Sequence, residues 1–316
     1  MRILALIPGG IGDQVLFFPT LVDLKEKYPK AIVDVVVEPR ARGAYRVCPQ
    51  VNRVLTFNFP DRNTLTDYLN LLGQIREVEY DIAVSSAKGW PVGLLLWLNI
   101  PVRVGYKREN SWYFSKPVPI NTEQYLANTY HDLLKGLSID KPCPELKVSI
   151  PTEDLDWAEA EKARLDIKES GYILFHNSPE NETDRIYPVS KWERIVRDIN
   201  NKQPGVPIVL LDCQGNFEWV DMMAQDIPSL KVTSPVDVGK EAAIISGADL
   251  TICNHSAVTH LSVAVNTQTV VLLDSTENPK RLLPPDNDRA VAVQSTTSRS
   301  IVDIEPAAVL EKIWRS

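Results

Sequence analysis

The sequence predicts an α/β protein built from two doubly wound, Rossmann-like domains with parallel sheets. Apolar strand-like runs alternate with amphipathic helical stretches almost throughout the chain, and a segment with three prolines, residues 140–151, interrupts this alternation. The length of 316 residues fits two domains of about 150 residues each. We therefore expect one domain over residues 1–150 and another over 151–316, facing each other across a cleft.

The first half of the chain alternates strands and helices in the order typical of βαβ units. Its predicted strands are RILALI (2–7), IVDVVV (32–37), DIAVS (81–85) and RVGY (103–106). Its predicted helices cover about 13–27, 63–78, 90–98 and 123–136. The apolar run VGLLLWL within the third helix is far shorter than the roughly 20 residues that span a bilayer, so we expect a buried helix there.

The second half restarts the pattern with a charged helix from Thr152 to Leu165. Its predicted strands are YILFH (172–176), PIVLLD (207–212), DLTICN (249–254) and TVVLLD (269–274). Ser190 and Glu193 have the spacing of a capping box that opens a helix. Pro306 suits the first position of a last helix over 305–315, which is expected to pack back on the N-terminal domain.

The composition indicates a soluble globular protein, with 44% hydrophobic and 24% charged residues. The start, MRILALIPGG, has no extended apolar segment and no small-residue cleavage site, so a cytoplasmic location is expected. The four cysteines are scattered without a CxxC pair, which favours reduced thiols over a disulfide framework or a zinc site.

The charge is distributed unevenly along the chain. The net charge is −7 overall, +3 over residues 1–150 and −10 over residues 151–316. This balance argues against general nucleic-acid binding, while the first half leaves room for an anionic small molecule or a lipid headgroup. Two groups of cations are candidates for peripheral contact with the inner membrane surface, although a solvated charged face explains them equally well. They are Arg40, Arg42, Arg46 and Arg53, and Arg103, Lys107, Arg108 and Lys116.

A glycine-rich turn, LIPGGIGDQVLFFP (6–19), follows the first strand. It is not a dinucleotide fingerprint, because Val15 stands where the third glycine is needed, and it lacks the Gly-Lys-Ser/Thr of a P-loop. Asp13 is open to two interpretations: it caps the following helix, or it projects into the cleft and accepts a proton. Three glycines favour the second, since glycines allow backbone to approach a ligand closely.

A second loop, CNHSAVTHLSVAV (253–265), follows a buried strand and begins a helix with small residues. Free amides at such a helix start form an anion site, and Lys280 and Arg281 approach the same end of the sheet. His255 and His260 are five positions apart, which is not one helical face, so a zinc pair is not expected. A packed, hydrogen-bonded His260 is the structural alternative to a role in binding.

Taken in order, these motifs resemble glycosyltransferase family 9, the group of the ADP-heptose:lipopolysaccharide heptosyltransferases, across nearly the whole chain. The matching segments are GGIGDQVLFFP, KEKYPKAIVDVVVEPR, YDIAVSSAKGWPVGLL with RVGY, Arg185 to Pro188, Gly215 to Glu218, Asn254 to Leu261, and Asp274 to Pro279. The chain departs from the family pattern at three positions: Arg185 replaces a lysine, His255 an aspartate and Ala257 a glycine.

The resemblance implies a GT-B fold and an inverting transfer without metal or cofactor. The first domain would bind a glycan or lipid-linked acceptor at Gly10 and Gly12, with Asp13 as general base. The second would bind a nucleotide-sugar donor such as ADP-heptose. The expected donor-binding residues are Ser178, Arg185, Glu218, Asn254, His255, Ser256, Ala257, His260, Thr276 and Lys280. The alternative is a non-catalytic nucleotide-sugar or glycan-binding protein, because His255 and Ala257 alter the helix start at the diphosphate site.

Overall fold

The protein divides into two compact units, Met1–Ser149 and Ile150–Ser316. The computed structural model describes residues 1–60, 63–87, 89–109, 111–167, 171–177, 186–213, 216–296 and 300–315. Each unit contains a six-stranded sheet in which every neighbouring pair of strands is parallel. The prediction of two Rossmann-like α/β domains is confirmed.

The first unit has six strands and four α-helices in the part of it that the structure describes. The strands are β1 (Arg2–Ile7), β2 (Ile32–Val37), β3 (Arg53–Thr56), β4 (Ile82–Ser85), β5 (Val102–Tyr106) and β6 (Lys116–Val118). The helices are α1 (Ile11–Lys27), α2 (Leu65–Arg76), α3 (Trp90–Asn99) and α4 (Leu126–His131), with 3-10 segments at Pro39–Val47 and Asp132–Leu137. The strand order is β3-β2-β1-β4-β5-β6.

The second unit repeats this plan. Its strands are β7 (Ile173–His176), β8 (Ile208–Leu211), β9 (Lys231–Thr233), β10 (Leu250–Asn254), β11 (Gln268–Leu273) and β12 (Ala290–Gln294). Its α-helices are α5 (Thr152–Arg164), α6 (Val189–Lys202), α7 (Phe217–Asp226), α8 (Val238–Ser246), α9 (Ala257–Ala264), α10 (Pro279–Leu282) and α11 (Pro306–Arg315), and a short 3-10 turn covers Ile301–Asp303. The strand order is β12-β11-β10-β7-β8-β9.

Each sheet reverses its winding direction at one pair of neighbouring strands. In the first unit this pair is β1 and β4, where Leu6 lies opposite Ser85. In the second unit it is β10 and β7, where Cys253 lies opposite His176. Ligands of doubly wound sheets bind beyond the carboxyl ends of the strands at such a reversal. The loops that follow β1 and β10 therefore occupy the expected ligand-binding edges of their own sheets.

An aromatic cluster forms the centre of the second core. The indole of Trp192 is fully buried and packs against Phe175, Tyr187 and Trp219, with ring centroids 4.7 to 5.8 Å apart. The last helix, α11, packs on α6 of the same unit, and the indole nitrogen of its Trp314 donates a 2.9 Å hydrogen bond to Asp198. The expectation that this helix also packs on the first domain stays a prediction.

Two expectations about helix starts are wrong. The helix predicted to begin at a Ser190–Glu193 capping box begins at Val189, with Pro188 as its N-cap and no side-chain capping bond. The fixed backbone angle of Pro188 suits an N-cap, so Ser190 lies inside the first turn. The helix predicted over 123–136 begins only at Leu126 and continues after His131 as a 3-10 segment.

The four cysteines are free thiols, of which Cys48 and Cys253 are buried. Among the described residues, no helix is long and apolar enough to cross a bilayer.

Candidate functional site

The carboxylate of Asp13 lies in the first turn of α1, just past the carboxyl end of β1. Its Oδ2 accepts a 3.0 Å hydrogen bond from the backbone amide of Gly10, the N-cap residue of α1. Its Oδ1 accepts a 2.9 Å hydrogen bond from the hydroxyl of Tyr130, which comes from α4. The side chain therefore caps its helix, as the structural interpretation of the sequence expects, but it is also held by a donor from a distant element.

The turn before Asp13 is built around this carboxylate. Gly9 has a φ of +110°, a conformation that favours glycine, and a Cβ there would lie 2.1 Å from Asp13 Oδ2. A Cβ on Gly10 would meet nothing within 4 Å, so Gly10 borders open space. Gly12 lies within the first turn of α1. The carboxylate thus approaches the backbone closely at Gly9, and the turn leaves room beside Gly10.

The environment of Asp13 raises its pKa above the ordinary value for an aspartate. Burial is the largest cause, and the negative charge of Glu38 acts in the same direction. The hydrogen bonds from Tyr130 and Gly10 and the positive charge of Arg40 act in the opposite direction. A carboxylate of raised pKa is a stronger proton acceptor, which suits a general base.

Further hydrogen bonds fix the turn that precedes Asp13. The buried carboxylate of Glu38 accepts a 2.8 Å hydrogen bond from the amide of Gly9 and pairs with the guanidinium of Arg40 at 3.0 Å. The buried amide of Gln14 donates to the carbonyl of Ile7 at 3.1 Å and accepts from the hydroxyl of Tyr45 at 2.8 Å. These contacts anchor the turn to β1, to the end of β2 and to the 3-10 segment that follows β2.

In the second unit, the loop after β10 joins Asn254 to the start of α9. Ser256 is the N-cap residue of α9, and its amide donates to Thr259 Oγ1 at 3.3 Å. The Ser256 hydroxyl is buried and has no hydrogen-bond partner within the described ranges. The first amides of a helix lack intrahelical partners and attract anions, so a helix start with an unsatisfied hydroxyl is chemically suited to bind an anionic oxygen.

His255 and Glu277 connect this loop with the loop after β11. Nδ1 of His255 lies 2.6 Å from Oε1 of Glu277, and Oε2 of Glu277 accepts a 3.0 Å hydrogen bond from the amide of Asp274. The hydroxyl of Thr276 donates to Asp274 Oδ1 at 2.5 Å. The structure therefore brings His255 and Thr276 into one hydrogen-bonded assembly, with Glu277 between them.

His260 lies in α9 and is 3% exposed. Its ring meets the ring of His255 edge to face, with centroids 5.5 Å apart. Burial, together with the neighbouring His255, lowers the pKa of His260 to about 3, so the ring is neutral at physiological pH. Nδ1 of His260 has no hydrogen-bond partner in the part of the chain that the structure describes. Over the same residues, no group of three or more His, Cys, Asp or Glu side chains is arranged to hold a metal ion.

Glu218 and Lys280 make no hydrogen bond or ion pair to this assembly among the described residues. Glu218 is exposed in the first turn of α7, beyond β8, and Lys280 is exposed in α10, where its amide donates to Asn278 Oδ1 at 3.0 Å. Ser178 and Arg185 lie outside the described residues, as does Gly215. The sequence-based roles of these residues stay predictions.

Residues that contribute to the two sites but were not among the sequence candidates include Gly9, Tyr130 and Glu277. Gly9 and Glu277 lie inside motifs that the sequence singles out, and this position is the signal that could have found them. Tyr130 lies 117 positions from Asp13 and is found only through the fold.

A family model, "Glycosyltransferase family 9 (heptosyltransferase)", matches residues 68–308. Lipopolysaccharide heptosyltransferase 2 of Salmonella typhimurium is 21% identical, and the match covers 99% of this chain and 97% of that protein. An Arabidopsis thaliana protein, photosynthetic NDH subunit of subcomplex B 1, is also 21% identical over 98% of this chain and 72% of its own length.

Solved structures with the same fold include two Escherichia coli enzymes. ADP-heptose lps heptosyltransferase II superposes with a TM-score of 0.81 at 18% identity, over 100% of this chain and 98% of that one. Heptosyltransferase WaaC with ADP gives a TM-score of 0.79 at 16% identity, over 100% and 99% of the two chains. The expected GT-B fold is thereby confirmed. Because the family model covers well over half of the chain, this protein belongs to glycosyltransferase family 9, as its motifs predict.

Proposed function

We propose that this glycosyltransferase transfers a heptose-like sugar, with inversion, from a nucleotide-diphosphate donor to a hydroxyl of a glycan or lipopolysaccharide-type acceptor. The observation that carries the proposal is the Asp13 carboxylate, held by Gly10 and Tyr130 beyond the carboxyl end of β1. In the proposed reaction, the acceptor oxygen attacks the anomeric carbon and its proton passes to Asp13. The bond between that carbon and the diphosphate breaks, and the diphosphate leaves with the electron pair.

The start of α9 supports the donor half of the proposal. The leaving diphosphate gains negative charge in the transition state, and preorganised donors at a helix start stabilise such charge. Ser256 has a buried hydroxyl without a partner among the described residues, and a phosphate oxygen would satisfy it. His255, hydrogen-bonded to Glu277, borders the same helix start. We propose no metal or cofactor; in the proposed reaction, backbone amides and side chains at the start of α9 supply the electrostatic stabilisation.

The names of similar proteins support ADP-heptose as the donor class. One E. coli structure contains WaaC with ADP and another contains it with ADP-2-deoxy-2-fluoro heptose, and both share the fold of this chain. Several of its relatives are named lipopolysaccharide heptosyltransferases. These names support a heptose donor and a lipopolysaccharide-type acceptor for this chain.

Calorimetric titration with ADP and with UDP tests the donor site. We expect ADP to bind, and Ser256→Ala to weaken ADP by about tenfold, because a hydrogen bond to a charged group contributes on that scale. Ser246→Ala is the matched control, since Ser246 lies at the end of α8 and its hydroxyl donates to the carbonyl of Ala243. A product assay with ADP-heptose and lipopolysaccharide core acceptors follows. Failure of the protein to bind any nucleoside diphosphate would contradict the proposed donor.

A non-catalytic role is the second candidate, and the similarity to a subunit of a photosynthetic complex favours it. The substitutions relative to the family pattern, His255 and Ala257, lie at the same helix start. The product assay separates the two candidates. ADP or glycan binding without any sugar transfer would support the binding protein, whereas turnover that depends on Asp13 would support the enzyme.

Membrane contact is a further part of the proposal, but the structure reduces the set of cations that can support it. The guanidinium of Arg103 donates to the carbonyls of Tyr113, Ile100 and Pro101, so it braces its own loop. Arg40 pairs with the buried Glu38, and Arg53 pairs with Glu77 at 3.6 Å. Four of the cations are exposed and make no ion pair with any described residue, namely Arg42, Lys107, Arg108 and Lys116.

Two exposed indoles in the same unit fit an interfacial role. Trp97 is 48% exposed and Trp112 is 65% exposed, and their rings meet edge to face at 5.7 Å. Tryptophan favours the headgroup level of a bilayer, and neighbouring cations favour anionic lipids. We expect salt-sensitive co-sedimentation with phosphatidylglycerol vesicles that the double variant Trp97→Ala/Trp112→Ala loses. Phe217→Ala, at an exposed site of the second unit, is the control. No binding by the unaltered protein would remove this part of the proposal.

A further inference from the structure

We propose that Tyr130 is a positioning residue for the general base. Its hydroxyl donates a hydrogen bond to Asp13 Oδ1 and so holds the carboxylate in its reactive orientation and in its ionised form. This inference rests on the proposed function of Asp13. Nothing about helix capping requires the contact, because the amide of Gly10 alone satisfies the capping geometry through the other oxygen.

The two hydrogen bonds act on different oxygen atoms and come from different elements. Gly10 precedes α1 and binds Oδ2 at 3.0 Å, whereas Tyr130 belongs to α4 and binds Oδ1 at 2.9 Å. A carboxylate held at one oxygen can still rotate about its last bond. A carboxylate held at both oxygens keeps its remaining lone pairs in fixed directions, which is what proton abstraction from a positioned hydroxyl requires.

Packing restrains the ring of Tyr130 and therefore the position of its hydroxyl. The ring is 8% exposed and lies edge on to Phe17, with centroids 5.6 Å apart at an interplanar angle of 61°. Phe17 is one turn beyond Asp13 on α1, so the same helix face that carries the base also seats the ring of its donor. Removal of the hydroxyl alone should therefore leave the ring in place.

The charged surroundings explain why an ionised Asp13 needs this donor. Burial and Glu38 both favour the protonated acid, whereas Gly10, Arg40 and Tyr130 favour the carboxylate. Among the causes that lower the pKa of Asp13, the Tyr130 hydrogen bond is the largest. Without it, the balance shifts toward the acid, which cannot accept a proton from the acceptor hydroxyl.

Carbon-13 NMR titration of aspartate-labelled protein tests the inference directly, without any substrate. The Asp13 signal is assigned as the one that disappears from the spectrum of Asp13→Asn. We expect Tyr130→Phe to move the titration midpoint of Asp13 to higher pH. The matched control is Tyr80→Phe, which removes a buried tyrosine hydroxyl from an aspartate of the same unit, Asp34, at 2.8 Å near the amino ends of the strands. This control should leave the Asp13 midpoint unchanged.

A rate measurement complements the titration once a transferring donor and acceptor pair is known. For Tyr130→Phe, we expect kcat at low pH to fall by about tenfold. One hydrogen bond to an ionised group changes an equilibrium constant on that scale, here the ionisation of Asp13. The loss should shrink as the pH rises, with KM for the donor unchanged. A uniform loss at every pH, matched by Tyr80→Phe, would indicate a structural role and overturn the inference.

Failure of this inference is distinguishable from failure of the proposed function. An unchanged Asp13 midpoint in folded Tyr130→Phe contradicts the positioning role, whatever the activity. Full transfer by Asp13→Asn contradicts the proposed base, whatever the NMR result.

Discussion

His255 Nδ1 and Glu277 Oε1 lie 2.6 Å apart and join the loops that follow β10 and β11. The second oxygen of Glu277 accepts from the amide of Asp274 at 3.0 Å, so one carboxylate restrains both loops. The sequence motifs predict that His255 replaces an aspartate of the family pattern, and Glu277 places a carboxylate beside it. A carboxylate therefore lies near the start of α9, although it comes from the loop after β11.

The first prediction concerns this pair. Glu277→Gln keeps the size of the side chain but removes its charge, so we expect a loss of about 1 kcal/mol in unfolding free energy, because the pair is only partly shielded from solvent. We also expect weaker ADP binding, because the contact that holds the His255 loop against the loop after β11 is weakened. Urea unfolding and calorimetry measure the two effects. Glu305→Gln is the control: Glu305 is exposed, pairs with Lys191 and should have a smaller effect on stability. Equal losses of stability in both variants would contradict a role of the His255–Glu277 contact in joining the two loops.

The second prediction concerns the turn before Asp13. Gly9→Ala places a methyl group within 2.1 Å of Asp13 Oδ2 at a φ of +110°, so the carboxylate or the turn must shift. We expect a lower melting temperature, by an amount equivalent to about 1–3 kcal/mol, and a large loss of transfer. Gly10→Ala is the control for stability, because its Cβ meets open space. If Gly9→Ala were as stable and as active as the unaltered protein, the described geometry of the turn would be incorrect.

The third prediction concerns pH and stability. Burial raises the pKa of Glu241 in α8 to about 7, against an ordinary value of 4.5. Between these values the folded protein holds a proton that the unfolded chain releases, so this group makes stability fall as the pH rises from about 4.5 to 7. Glu241→Gln should remove this decline and gain on the order of 2 kcal/mol near neutral pH. Urea unfolding at pH 5 and pH 7.5 measures it. If the unfolding free energy of the variant fell with pH as much as that of the unaltered protein, the decline would come from other groups.

Local patterns were sufficient for most of the fold. The alternation of buried runs such as β1 and β10 with amphipathic helices identifies parallel α/β domains, because strands covered on both faces are continuously apolar. Four strands were not predicted, namely β3, β6, β9 and β12. Of these, β6 and β9 have only three residues each and contain no such run. The error at Ser190 arose because two capping arrangements compete locally, and Pro188, two residues earlier, decides between them.

The sequence predicted only those parts of the candidate site whose residues lie close together in the chain. Asp13 stands out because Gly9, Gly10 and Gly12 precede it, and Ser256 stands out because a helix starts there. The donor to Asp13, Tyr130, belongs to another helix, and an isolated tyrosine carries no signal of its partner. The contact between Glu277 and His255 likewise depends on the pairing of β10 with β11, which places the two loops side by side.

The transfer activity of Asp13→Asn tests the central claim most directly. The amide is nearly isosteric with the carboxylate but cannot accept the proton, so we predict a fall in kcat of about 10²- to 10⁴-fold with unchanged affinity for ADP. Asp67→Asn is the matched control, because Asp67 accepts from the Thr64 amide at 2.7 Å in the capping box of α2. That variant should retain full transfer. Transfer by Asp13→Asn at the level of the unaltered protein would contradict the account.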